Sequence, residues 1–322
     1  MNQENAPSRT WLDGTAPMPP QAKTDPVVAE LQDRLKSQGA GQADPTSQPL
    51  AEARAQQDRY FAAVNADLPD VALVEDITID AGRGKLAARI YRPDGAKSDA
   101  FIVFVRGAGW WAGGLDSHQG ICRAIALATG RTVVAVDYRR SPEHVFPTQR
   151  DDVTSSVAWL LEHAGQLQLP PQALLWGESA GASLCVLAWD QMRRQAHGAR
   201  VRALVLFYGN LGGPRENLRA QSKWVWRQYL GPAWESPPPA AVPCKVDPEG
   251  MPPVWLGVGD ADPLIEDSFQ FARLLHEAKR PHRLHVYPGM PHGFTVYTRQ
   301  SDIAGKAMAD AADFVDAALQ PA

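Results

Sequence analysis

An α/β fold, with a mostly parallel central sheet flanked by helices and a helical cap, is predicted by three observations. Near-continuous apolar runs such as FIVFV (101–105), ALLW (173–176) and VWLGVG (254–259) read as strands buried on both faces. Amphipathic stretches separate most of these runs, so the strands are joined by helical crossovers and lie parallel. Two segments break that rhythm, one before residue 71 and one at about 210–250, and these supply the cap.

Taken in order, residues 1–24 are polar and proline-rich and are expected to be mobile or draped over the surface. At Asp25 a helix starts: Asp25 can cap it, Pro26 suits its first position, and Val28, Leu31 and Leu35 recur at helical spacing. A Gly/Pro/Ser linker over 39–49 and a second helix from Leu50 to about Ala66 complete an N-terminal helical cap segment, 25–70. The period then becomes strand-like. Stretches 71–80 and 85–92, separated by AGRG, form an antiparallel pair.

The alternating series follows, and residues 71–322 make one domain with the cap insertion inside it. Strands are expected at 101–105, 132–138, 173–176, 203–209, 254–260 and 283–289. Helices are expected near 117–129, 151–163, 180–194, 267–279 and 301–319. The insertion is too long for an ordinary crossover loop and carries Trp224, Trp226, Tyr229 and Trp234.

The chain has 322 residues, 44% of them hydrophobic and 21% charged, a soluble globular composition. A net charge of −4 gives no broad attraction for phosphate backbones or anionic lipid, so neither a nucleic-acid nor a membrane partner is expected. Cys122, Cys185 and Cys244 have no metal-like spacing and no disulfide framework. The N-terminus lacks a signal-peptide pattern and no apolar run approaches the roughly 20 residues that span a bilayer, which points to a cytoplasmic protein. With no H-E-x-x-H, cysteine cluster or phosphate loop, no metal or organic cofactor is expected.

The chemistry is concentrated at GESAG (177–181), between an apolar strand and a helix. A nucleophile on a sharp strand-to-helix turn needs small residues two positions to either side, and Ser179 has them. A serine hydroxyl needs a base, and the base an orienting acid, in the chain order Ser, acid, His for this kind of turn. His292 in PHGF and Asp262 in GDADPL both follow strand ends, with Asp260 and Glu266 as nearby rivals for the acid. The stretch RGAGWWAGG (106–114) resembles a dinucleotide fingerprint at first, yet Trp110 and Trp111 stand where a closely packed helix would begin. It reads better as an oxyanion loop, with the N–H groups of Gly107, Ala108 and Ala180 as donors.

Five blocks in order carry a family resemblance: RGAGWWAGGLDSHQGICRAIA, VDYRRSPEHVFP, GESAGA, DPLIEDS and MPHGF. The sequence resembles hormone-sensitive-lipase-like (bacterial family IV) esterases of the α/β-hydrolase superfamily over nearly its whole length from about Asp25. The resemblance implies a serine carboxylic-ester hydrolase with the catalytic residues Ser179, Asp262 and His292, acting on short- to medium-chain acyl esters. Related chemistry on a lactone, amide or acetylated natural product, or a non-catalytic receptor of the same fold, is the competing expectation. A homodimer through the edge strand 283–289 is also implied, and a structural role for Glu143, His144 and Glu178.

One departure stands out. The family's HGGG loop is Arg106-Gly107-Ala108-Gly109 here, so Arg106 either makes different loop hydrogen bonds or meets a polar group of the substrate. Trp110, Trp224 and Tyr229 are expected beside Arg106 in substrate binding.

Overall fold

The computed structural model describes residues 12–80, 82, 84–193, 195 and 197–320. One eight-stranded sheet organises the chain, in the spatial order β1-β2-β4-β3-β5-β6-β7-β8. Strands β1 (Leu73–Asp80) and β2 (Lys85–Arg92) form the expected antiparallel pair. Beyond them lie β4 (Val133–Val136), β3 (Phe101–Val105), β5 (Ala173–Glu178), β6 (Val201–Phe207), β7 (Val254–Gly259) and β8 (His282–Tyr287). Every pair from β4 to β8 is parallel.

Every residue of β3, β4, β5 and β7 is buried, as a sheet covered on both faces requires. The covering helices are α3 (Gln119–Thr129), α4 (Thr148–Glu162), α5 (Ala180–Met192), α7 (Ile265–Glu277) and α8 (Asp302–Leu319). β4 is shorter than expected because the chain peels away after Val136, where Arg139 N donates to Asp152 Oδ2 at 3.0 Å. At the far edge β1 is mostly exposed, and its Glu75, Asp76 and Asp80 discourage pairing with another sheet. Among the described residues no helix is long and apolar enough to cross a membrane.

The N-terminal segment follows the draped alternative from residue 12 onward, whereas residues 1–11 lie outside the described residues. Leu12 and Leu284 form an antiparallel bridge on the open edge of β8, with N–O distances of 2.7 and 3.2 Å. Farther along, Ala22 N donates to Asp260 O at 3.0 Å and Asp25 N to Gly289 O at 2.7 Å. The draped segment thus occupies part of the edge through which a dimer was expected to pair.

The cap joins α1 (Pro26–Ser37), α2 (Leu50–Val64) and α6 (Ala220–Leu230). Asp25 caps α1 by accepting from Val27 N and Val28 N. Insertion and body meet through aromatic rings: Trp110 stacks on Tyr229 at 4.1 Å between centroids, and Trp226 packs against both. From α2, Arg54 reaches two loops of the body. It donates to Trp111 O and Ser141 O, each at 2.8 Å, and forms a bidentate pair with Glu143 at 2.6 and 2.7 Å. That pairing holds the Glu143 carboxyl down at about 2.

Replacing Arg54 by alanine orphans two backbone carbonyls and removes one of the ties between α2 and the body. The expected cost is about 1–3 kcal/mol, read as a lower midpoint in urea denaturation, and an unchanged midpoint would make the clamp dispensable.

Candidate active site

The turn from β5 into α5 places Ser179 in a strained conformation, φ 50° and ψ −119°. Its N–H donates to Phe207 O at 2.9 Å, fixing the turn to β6. The tightness explains the flanking glycines. A Cβ on Gly181 would stand 1.9 Å from Val105 O, and one on Gly177 would stand 2.5 Å from Gly181 O.

Two loops at the C-terminal ends of β7 and β8 complete the constellation. Ser179 Oγ lies 2.8 Å from His292 Nε2, and His292 Nδ1 lies 2.9 Å from Asp262 Oδ2. Asp262 is fully buried, and its other oxygen accepts from Leu264 N at 2.7 Å, which fixes the carboxylate's orientation. With Nδ1–H donated to Asp262, Nε2 is left as the acceptor for the serine hydroxyl. The rival acids are engaged elsewhere: Asp260 Oδ1 accepts from Gly289 N at 2.6 Å, and Glu266 pairs with Arg215 at 3.2 Å. Burial disfavours a charged His292, but the adjacent Asp262 and the more distant Glu178 and Asp267 outweigh it, so the imidazole holds its proton above its ordinary range.

Facing Ser179, the loop after β3 turns sharply, with Ala108 at φ 63°, Gly109 at 60° and Trp110 at 63°. Among the described residues the N–H groups of Gly107, Ala108 and Ala180 have no acceptor, and Gly107 and Ala108 border the cavity. Ala180 N–H is one of the unpaired donors that open α5.

Beneath the serine lies a buried ionic network. Glu178 accepts from His118 Nε2 at 2.8 Å, and its other oxygen accepts from Tyr208 OH and Thr295 Oγ1, each at 2.6 Å. Desolvation alone would raise the Glu178 carboxyl, but the neighbouring His118, followed by Thr295 and Tyr208, holds it below its ordinary range. The Tyr208 ring packs edge-on against His292 at 5.0 Å, so the network also supports the imidazole. Glu178 thereby acts on both the serine turn and the histidine.

A cavity of about 410 Å³ opens over Ser179 and His292, walled by the body on one side and by α1, α2 and α6 on the other. The four residues expected to bind substrate do not form its wall. Arg106 is 3% exposed and turns inward, donating to Asp137 Oδ1 at 3.1 Å, Ala112 O at 2.8 Å and Tyr138 O at 2.9 Å. Trp110 and Tyr229 are buried against each other, and Trp224 packs edge-on against Trp111, a residue of the wall. Gln57, Tyr60, Trp111, His118, Asn210 and Arg219 take their places, and sequence reasoning missed them as wall residues. Of these, Trp111 stood in the RGAGWWAGG loop and His118 just after it, in DSHQG.

Known proteins resemble this chain in sequence and in fold. Residues 102–296 match a family model described as the alpha/beta hydrolase fold. The ethyl acetate hydrolase of Pseudomonas putida is 31% identical over 273 residues, 76% of this chain and 82% of its own. The carboxylic ester hydrolase LipN of Mycobacterium tuberculosis is 29% identical over 69% of this chain, which spans just under two thirds of LipN's length, 64%. Among solved structures, a hyperthermophilic esterase from the archaeon Pyrobaculum calidifontis superposes with a TM-score of 0.83 at 26% identity, covering 93% of this chain and 100% of its own.

Glu178→Gln puts an amide N–H₂ where one carboxylate oxygen stood, facing either His118 or the Tyr208 and Thr295 hydroxyls, and about 1–3 kcal/mol of stability should be lost, measured by urea denaturation at neutral pH. Since Glu178 releases its proton more readily folded than unfolded, its contribution is present above the unfolded value of 4.5 and disappears as pH falls through the lower folded value. The difference between wild type and variant should therefore shrink in acid, and a constant difference across pH would contradict the assignment.

Proposed function

The chain belongs to the hormone-sensitive-lipase-like branch of the α/β-hydrolase family, and on that premise we propose that it is a serine carboxylic-ester hydrolase. It cleaves short- to medium-chain acyl esters through an acyl-enzyme. The observation that carries this reading is the continuous hydrogen-bonded line from Ser179 through His292 to Asp262, facing N–H groups that have no acceptor of their own.

His292 Nε2 takes the hydroxyl proton as Ser179 Oγ attacks the ester carbonyl, and Asp262 stabilises the imidazolium that results. The carbonyl oxygen becomes an oxyanion, and the N–H groups of Gly107, Ala108 and Ala180 receive it. Collapse of this intermediate expels the alcohol, which takes the proton from His292. Water enters next; the imidazole accepts its proton, the hydroxide adds to the acyl carbonyl, and the second collapse returns the proton to Ser179 Oγ and frees the acid. Each step is assigned to a side chain, a backbone N–H or water.

The roughly 410 Å³ cavity suits a small or medium acyl group, and the names of the relatives, an ethyl acetate hydrolase among them, point the same way. Residues 25–70 and the insertion at about 210–250 act as its cap, and 71–322 as the catalytic body.

With p-nitrophenyl acetate and butyrate, Ser179→Ala should lower kcat by at least about a thousandfold. Retention of wild-type rates would overturn the reading. His292 is a base only when neutral and holds its proton above its ordinary 6.5, so kcat/KM should rise with pH through a value higher than that. Asp262→Asn should move this limb to lower pH and reduce kcat by at least about a hundredfold. An acid limb that does not move would place the controlling group elsewhere.

A further inference from the structure

We propose that the cavity is shaped for esters that carry a free carboxylate, received by Arg219 at the rim, with buried amides meeting the polar atoms of the chain between. The inference rests on the ester-hydrolase reading above and names its substrate class.

The first support is a charge inventory of the wall. Glu178 is paired with His118, and His292 with Asp262. Arg219 is the remaining charged side chain of the wall among the described residues, and it is exposed with neither a hydrogen bond nor an ion pair. It stands at the start of α6, whose first turn has no acidic residue and no side-chain cap, while Gln221 and Ser222 of that turn also border the cavity. The local field of the uncapped turn adds to the cation and favours an anion.

The second support lies deeper and is independent of charge. Asn210 is 6% exposed, and its backbone is fully used: its N–H donates to Ser179 O at 3.3 Å and its carbonyl accepts from Ser183 Oγ. Asn210 borders the cavity, and its side-chain amide has no partner among the described residues. Gln57, 9% exposed, binds Ala43 N through its oxygen at 3.1 Å, and its amide N–H₂ is likewise unpartnered. A plain hydrocarbon acyl chain would strip water from these amides and return nothing, whereas carbonyl or carboxylate oxygens accept from them. The guanidinium at the rim then selects the ionised form.

The test compares monomethyl glutarate with dimethyl glutarate, its neutral counterpart, corrected for two equivalent bonds. Wild-type kcat/KM per bond should favour the monoanion by about threefold to tenfold, mainly through KM, and the preference should fall as salt rises. Arg219→Gln should bring the ratio to about one. A ratio of one or less in the wild type, or a preference that survives Arg219→Gln, overturns the proposal. Asn210→Leu should raise kcat/KM for methyl hexanoate relative to dimethyl glutarate, and the opposite change overturns the role of the buried amide.

Hydrolysis of p-nitrophenyl acetate separates the two levels: if it proceeds without the anionic preference, this inference fails and the ester-hydrolase reading stands. If no ester is turned over, calorimetric titration of Ser179→Ala with monomethyl glutarate still decides. Binding that is lost on adding Arg219→Gln supports the anion site, and absence of binding overturns it.

Discussion

Everything at the site depends on how closely the first turn of α5 approaches the end of β3. The backbone at Gly181 stands against the carbonyls of Val105 and Arg106 with no room for a side chain. That contact fixes the distance between the serine turn and the loop that follows β3. The consequence is geometric: the N–H groups of Gly107 and Ala108 come from one element and that of Ala180 from another, yet all three are held by a single van der Waals limit. Strain at Ser179, φ 50°, persists because β6 grips its N–H and because the flanking glycines let the surrounding backbone close in around the turn.

A buried carboxylate directly before the serine is costly unless several donors surround it. Glu178 has them on three elements: His118 before α3, Tyr208 after β6 and Thr295 beyond β8. The same residues therefore tie three loops of the active face together, and Tyr208 passes the constraint on to His292 through ring packing. Arg54 does for the cap what Glu178 does for the body, one charged group linking segments far apart in sequence.

What was legible in the sequence divides by the kind of constraint. The strands of the sheet, the crossover helices and the convergence of Ser179, Asp262 and His292 were readable because each is written locally, as an apolar run or as residues beside a turn. Strand-end position alone left Asp260 and Glu266 as rivals of Asp262, and it was the DPLIEDS block that favoured Asp262. Of the two readings of Arg106, the loop hydrogen bonds hold and the substrate contact does not, because Asp137, 31 residues later, draws the guanidinium away from the cavity. Trp110 was chosen over its neighbour because three successive positive φ angles, at 108 to 110, defeat any inference of which side chain faces which way. The polar wall of Gln57, Asn210 and Arg219 has no motif at all, because lining a cavity imposes no spacing on the chain.

The course of residues 12–37 couples two surfaces that would otherwise be independent. The strand-like bridge at Leu12 covers part of the sheet's last edge, and the same segment, after touching the ends of β7 and β8 through Ala22 and Asp25, supplies Thr24 and Gln32 to the cavity wall. A second copy that sought the full edge of β8 would have to peel this strap away, and peeling it would pull on the wall of the cavity over Ser179. Self-association through that edge and the shape of the binding chamber are thus competing uses of one short piece of chain.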